Sequence, residues 1–95
     1  MQINVKYVAV AREITGVREE VIEISNPSTV LDLLEVISER HGARMRDYLF
    51  EASAGKPHPH LQFLLNDKSI HMMDGFETWL IDSSTLVIVP PVSGG

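Results

Sequence analysis

The chain contains no cysteine, which excludes disulfides, thiolate metal centres and a cysteine nucleophile together. It has no glycine-rich phosphate loop: Gly16, Gly42, Gly55 and Gly75 stand alone, each where the chain reads as a turn. Its uninterrupted apolar runs are a few residues long, far short of a membrane span. The opening MQINVKYVAV carries no basic region ahead of a long apolar stretch, so it does not read as a signal peptide. A soluble, cytoplasmic protein is the expectation, with no membrane partner. Positive charge is also scarce: 8 basic residues face 13 acidic ones, for a net charge of −5. That balance disfavours direct binding to nucleic acid, which needs clustered Lys and Arg. It suits a basic protein partner better.

What is present fits one domain. Ninety-five residues, 44% of them apolar, support a single core and leave no room for a second. Residues 2–10 alternate, with Ile3, Val5, Tyr7 and Ala9 on one face and Val8 and Val10 closing the other. This predicts a first strand. AREITGVREE reads as a hairpin turn around Gly16, and REEVIEI (18–24) as the second strand. SNPSTVLDLLEVISERHG is a helix: Thr29 can cap it, Asp32 completes a capping box, and Val30, Leu33, Leu34 and Ile37 form the buried stripe. Gly42 is expected to close it in a left-handed cap.

Residues 43–60 are less regular. ARMRDYLFEA allows one or two helical turns with Met45, Tyr48 and Leu49 inward, and SAGKPHPH reads as a loop. LQFLL (61–65) is a strand, Asn66-Asp67-Lys68 a turn, Ser69-Ile70-His71 a short return strand and TLVIV (85–89) the last strand. Two strands, a helix and three further strands predict an α+β domain, a mixed sheet of about five strands with one main helix across one face. That element order is the β-grasp, or ubiquitin-like, order.

The body offers little chemistry. His41, His58, His60 and His71 are metal candidates by type, but no ligand pairs have zinc-like spacing. His58 and His60 read as a solvated loop and no metal site is assigned. The carboxylates are scattered, and Ser83, Ser84 and Ser93 have no nucleophile-elbow context. No catalytic residue is assigned. Trp79 is expected to plug the end of the core, the alternative being that it marks a sticky surface with Met72 and Met73.

The specified part is the end, VIVPPVSGG. The reading divides the chain into a domain, 1–89, and a flexible tail, 90–95. Pro90 and Pro91 stop further strand pairing and stiffen the exit. Val92, Ser93 and Gly94 continue a thin arm that can thread a partner's site, since glycine lets the backbone approach closely. At its tip the Gly95 carboxylate is unreactive until activated, the usual route being adenylation by ATP, which a partner enzyme uses and this chain does not bind. Sulfur can then attack to give a thiocarboxylate, or a lysine amine to give an isopeptide bond.

In VKYVAVAREITG (5–16), PSTVLDLLEVISERHG (27–42), LLND (64–67) and VIVPPVSGG (87–95) the chain resembles the sulfur-carrier family of molybdopterin-synthase small subunits and thiamine-pathway carriers. It is most similar to the longer archaeal members, some of which act as ubiquitin-like modifiers. The resemblance implies that a ubiquitin-activating-type enzyme adenylates Gly95 and a sulfurtransferase supplies sulfur. The sulfur would pass to a molybdopterin precursor, a transfer RNA base or another acceptor, with the synthase large subunit as second partner in the first case. Conjugation of Gly95 to substrate lysines is the alternative, and a passive interaction module the third reading. Asp82-Ser83-Ser84 departs from the family's Asp-Gly-Asp, which implies altered turn geometry.

A docking face follows from strand parity. With Ile3, Val5, Tyr7, Leu86 and Ile88 facing the helix, Val8, Val10, Val87 and Val89 face outward as an apolar patch beside the tail root. The competing expectation is that 43–60 folds over that face.

Overall fold

A computed structural model describes residues 1–53 and 55–90. Strand β1 (Gln2–Tyr7) alternates as its sequence does, burying Ile3, Val5 and Tyr7. It pairs antiparallel with β2 (Glu19–Glu23) and parallel with β5 (Thr85–Val89). Strand β3 (Gln62–Leu65) runs antiparallel to β5, and the two-residue β4 (Lys68–Ser69) closes the edge. The sheet order is β2-β1-β5-β3-β4. The predicted five-stranded β-grasp sheet is the architecture found.

Helix α2 (Val30–His41) crosses one face of this sheet, with Val30, Leu33, Leu34 and Ile37 all fully buried. Each such aliphatic side chain contributes about 1.5–3 kcal/mol by leaving water. Its start is fixed as expected: the Asp32 amide donates to Thr29 Oγ1 at 3.2 Å, and the Thr29 amide donates to Asp32 Oδ2 at 2.9 Å. Gly42 ends the helix at φ 91° and ψ −170°. This is positive-φ backbone but not the left-handed cap expected, because the same glycine also leads into α3 (Ala43–Leu49). Helix α3 buries Met45 and Leu49 and half-buries Tyr48, as the pattern predicts.

Four local expectations are corrected. The first strand stops at Tyr7: Ala9 takes φ 53°, is exposed and does not continue the inner row. A short helix, α1 (Val10–Thr15), follows and buries Ala11, so AREIT is helix and not hairpin turn. Gly16 in the left-handed region (φ 77°) is that helix's C-cap, its N–H donating to the Arg12 carbonyl at 2.8 Å. The return strand at Ser69-Ile70-His71 is cut short because Ile70–Met72 coils into a 3₁₀ turn that buries Ile70. Trp79 does not plug the core. Thr78 and Leu80 on either side point inward, so parity turns the indole out, 61% exposed.

The Asp82-Ser83-Ser84 turn places Ser83 at φ 68°, a conformation that favours glycine. It is held by the Ser83 amide on the Gln2 carbonyl (2.8 Å) and the Gln2 amide on Asp82 Oδ1 (2.8 Å). The turn thus takes the backbone a glycine would take.

Because the capping box is complete, Thr29→Ala should cost about 1 kcal/mol. Denaturant unfolding should show a lower midpoint at unchanged slope. An unchanged midpoint would mean the box contributes nothing.

Candidate docking face and tail root

Two candidate centres emerge from the fold, and only one faces outward. The inward one is a polar cluster at the edge where β1, β2 and the end of α2 meet. Glu20 faces inward on β2 and gathers three partners. The Tyr7 hydroxyl donates to its Oε2 at 2.5 Å, His41 Nε2 donates to the same oxygen, and Arg40 Nε lies 2.8 Å from Oε1. The Tyr7 and His41 rings meet edge to face, centroids 5.8 Å apart. Burial opposes the charge on Glu20, but the hydrogen bonds from Tyr7 and His41, and the charges of His41 and Arg40, outweigh it and hold the carboxyl below its ordinary value. Burial, and then the bond to Glu20, pushes the Tyr7 hydroxyl far upward, so it remains a donor at any physiological pH. Every member is satisfied by another, which is the arrangement of a structural network.

The other histidines do not converge on it. His58 Nε2 donates to the Asp47 carbonyl at 3.0 Å and its ring lies 4.9 Å from that of His60, within a surface loop in which Pro59 and His60 are exposed, as the solvated-loop reading expects. Among the described residues no three of His, Asp and Glu approach one another as metal ligands would. No described helix is long and apolar enough to cross a membrane.

The outward centre lies on the sheet face away from α2. The register sets Val87 beside Lys6 and Leu64, and Val89 beside Gln62, so Val87 and Val89 share the outer face as parity predicted. Both are half-buried. Val21 belongs to the same face through its pairing with Asn4 and is 54% exposed. Helix α3 packs against α1 and α2 on the opposite side, so the helical part of 43–60 does not cover this surface.

The two remaining patch residues reach the surface by another route. Val8 lies beyond the strand, 41% exposed, and lines a depression with Val87 and Tyr7 at the end of β1. Val10 is the first residue of α1, exposed but not part of that depression. The parity argument for Val8 and Val10 therefore fails, because the strand it assumed ends at Tyr7.

Three cations, Lys6, Arg12 and Arg18, and one carboxylate, Glu19, line the same depression, leaving it net basic. Single-residue reading missed the cations because β1, α1 and the bend before β2 supply one each, and only the fold brings these together. The parallel register opposite β1 puts Ile88 beside Tyr7, so β5 ends and Pro90 leaves the sheet next to this basic, apolar hollow. The other residues predicted for the tail, Pro91, Val92, Ser93, Gly94 and Gly95, lie outside the described residues.

Glu20 generates a pH prediction. Its folded pKa is lowered, so its contribution is fully present above the ordinary carboxylate value and is lost as pH falls through the lower, folded value. Unfolding free energy should decline over that acid window, and Glu20→Gln should be less stable near neutrality while showing a flatter acid limb. A variant with the parent's acid dependence would remove Glu20 from the explanation.

Comparison with known proteins agrees with this geometry. The family model described as "ThiS family" matches residues 5–95. A molybdopterin synthase sulfur carrier subunit from Chlamydomonas reinhardtii is 33% identical over 95 residues, covering 100% of both chains. Small archaeal modifier protein 3 from Haloferax volcanii is 27% identical, again over 100% of both chains. The solution structure of small archaeal modifier protein 1 from Methanosarcina acetivorans superposes with a TM-score of 0.84 at 29% identity, covering 99% of this chain and 96% of that one. The chain belongs to the ThiS family of ubiquitin-like sulfur carriers and modifiers.

Proposed function

We propose that this protein is a sulfur carrier for molybdopterin synthesis, with Gly95 as the reacting residue. The observation carrying this reading is the family match that runs from residue 5 through the PPVSGG end. The proposed sequence begins with a Gly95 carboxylate oxygen attacking the α-phosphorus of ATP in a ubiquitin-activating-type enzyme, with loss of pyrophosphate. The terminal sulfur of a sulfurtransferase persulfide then attacks the acyl carbon and AMP leaves; a second thiol of the partner attacks the transferase sulfur of the resulting acyl disulfide, forming a disulfide with it and releasing the thiocarboxylate. The synthase large subunit would receive the loaded tail and pass the sulfur to a molybdopterin precursor. Support for that acceptor is the relative named as a synthase subunit.

In this scheme the domain binds and presents, and the partner supplies ATP and catalysis. The outer face of Val87 and Val89, joined by Val8, would seat the partner, while Lys6, Arg12 and Arg18 would orient it by charge. Val10 lies close enough in sequence to extend the contact from α1. Pro90 and Pro91 would direct Val92, Ser93 and Gly94 into the partner's channel. A second reading, conjugation of Gly95 to substrate lysines, is favoured by the relatives named as archaeal modifiers. Both use the same activated carbonyl and differ only in whether sulfur or an amine displaces AMP.

Intact mass of the protein isolated from its own cells should show a sulfur-for-oxygen increment that disappears on deletion of Gly95. Cellular lysines carrying the branched tryptic remnant Ser69–Gly95, the piece left because no Lys or Arg follows Lys68, without that increment, would favour the modifier. Survival of partner-dependent activity after the deletion would reject both. Val8→Asp should weaken binding to the activating enzyme roughly tenfold while leaving the unfolding midpoint near the parent's, since Val8 is already exposed. Unchanged binding would move the docking face elsewhere.

A further inference from the structure

The domain has a second apolar surface at the end of β5 opposite Pro90. Strand β5 begins near Ser84 and delivers the tail from its other end, about 17 Å away at strand rise. Around its beginning stand Trp79, 61% exposed, and Ile81, 72% exposed, with Met73 at their side. Trp79 is held in this outward pose by the backbone: Thr78 and Leu80 pair with the residues around Thr29, the Val30 amide on the Thr78 carbonyl (3.0 Å) and the Leu80 amide on the Ser28 carbonyl (2.9 Å). The ring therefore stands on a rigid ledge at the start of α2.

Two depressions share the indole and differ in charge. One is lined by Thr29, Asp74 and Glu77 together with Trp79. Neither carboxylate is in an ion pair among the described residues. In the other, Met73 and Ile81 form an apolar hollow bounded by Lys68. The helix start adjoining the acidic side offers little to an anion, because the amides of Thr29, Val30 and Asp32 are already bonded. Charge complementarity thus selects the occupant. A cationic side chain placed over the indole meets the π-face and two carboxylates, while an aliphatic neighbour fits against Met73 and Ile81.

We propose that the Trp79 ledge docks a basic segment of another protein, one that carries an Arg or Lys next to an aliphatic residue. Because this surface lies at the other end of β5 from Pro90, a partner held there does not cover the Pro90 end of the strand. The inference does not rest on the sulfur-carrier reading.

Trp79 is the sole tryptophan, so intrinsic fluorescence reports on this ledge alone. The full chain is titrated with acetyl-Arg-Leu-Arg-Leu-amide and, separately, with acetyl-Glu-Leu-Glu-Leu-amide. A saturable change with the arginine peptide only, reduced by added salt and weakened roughly fivefold in an Asp74→Asn/Glu77→Gln double variant, is expected. Both substitutions are at exposed positions and should leave the unfolding midpoint unchanged. Deletion of Gly95 should not affect the titration, which separates this surface from the tail. Equal responses to the two peptides, or none with a Kd below about 10 mM, would overturn the proposal. So would a fluorescence change on dilution without peptide accompanied by a dimer mass, which would make a second copy of this chain the occupant.

Discussion

The parallel pairing of β1 with β5 is the constraint from which the rest of the molecule follows. Asn4 lies opposite Thr85 and Tyr7 opposite Ile88, joining segments some 80 residues apart. Closing so long a loop carries an entropic cost that grows only slowly with length. The inner row of Ile3, Val5, Leu86 and Ile88, fully buried beneath α2, offsets it. A one-residue slip would turn that row to solvent, so hydrophobicity itself specifies the register. Once the register is set, the outer face, the exit of Pro90 and the position of the basic hollow are no longer independent features.

The same constraint explains which parts of the fold could be read in advance. Helix α2 and strand β5 carry strong one-dimensional signals, a capping box with a helical stripe and a run of β-branched residues, and both were legible. The end of β1 was not. Val8 and Val10 continue the apolar pattern that defines the strand, yet Ala9 turns at positive φ and α1 begins. The cue available was the helix-forming run Ala11-Arg12-Glu13 ahead of Gly16. A glycine in the left-handed region serves equally as a hairpin turn and as a helix C-cap, and local sequence does not choose between them.

The site divides along the same line. Val87 and Val89 were legible because parity within one strand suffices to orient them. Lys6, Arg12 and Arg18 were not, since their common hollow exists only after β1, α1 and the β2 approach have been packed together. Trp79 was misplaced for a related reason. Size and apolarity favour burial of an indole, but its neighbours Thr78 and Leu80 take the inward positions and backbone bonds to the α2 start lock that choice. Composition assigns a residue to a core on average, whereas parity assigns it in particular.

A carrier that must visit more than one enzyme faces a geometric problem. In the proposed scheme the tail would enter each partner, so every surface next to its root would be contested in turn. The basic, apolar hollow beside Pro90 is such a surface, and only one partner at a time can occupy it. The Trp79 ledge differs in position and in charge, acidic where the hollow is basic. Opposite charge at opposite ends gives the molecule a direction in the field of a partner, so that an approaching basic surface and an approaching acidic one meet different poles. Polarity of this kind would let the proposed carrier meet each partner in a fixed orientation, with the Pro90 end of β5 turned toward one and the Trp79 ledge toward the other.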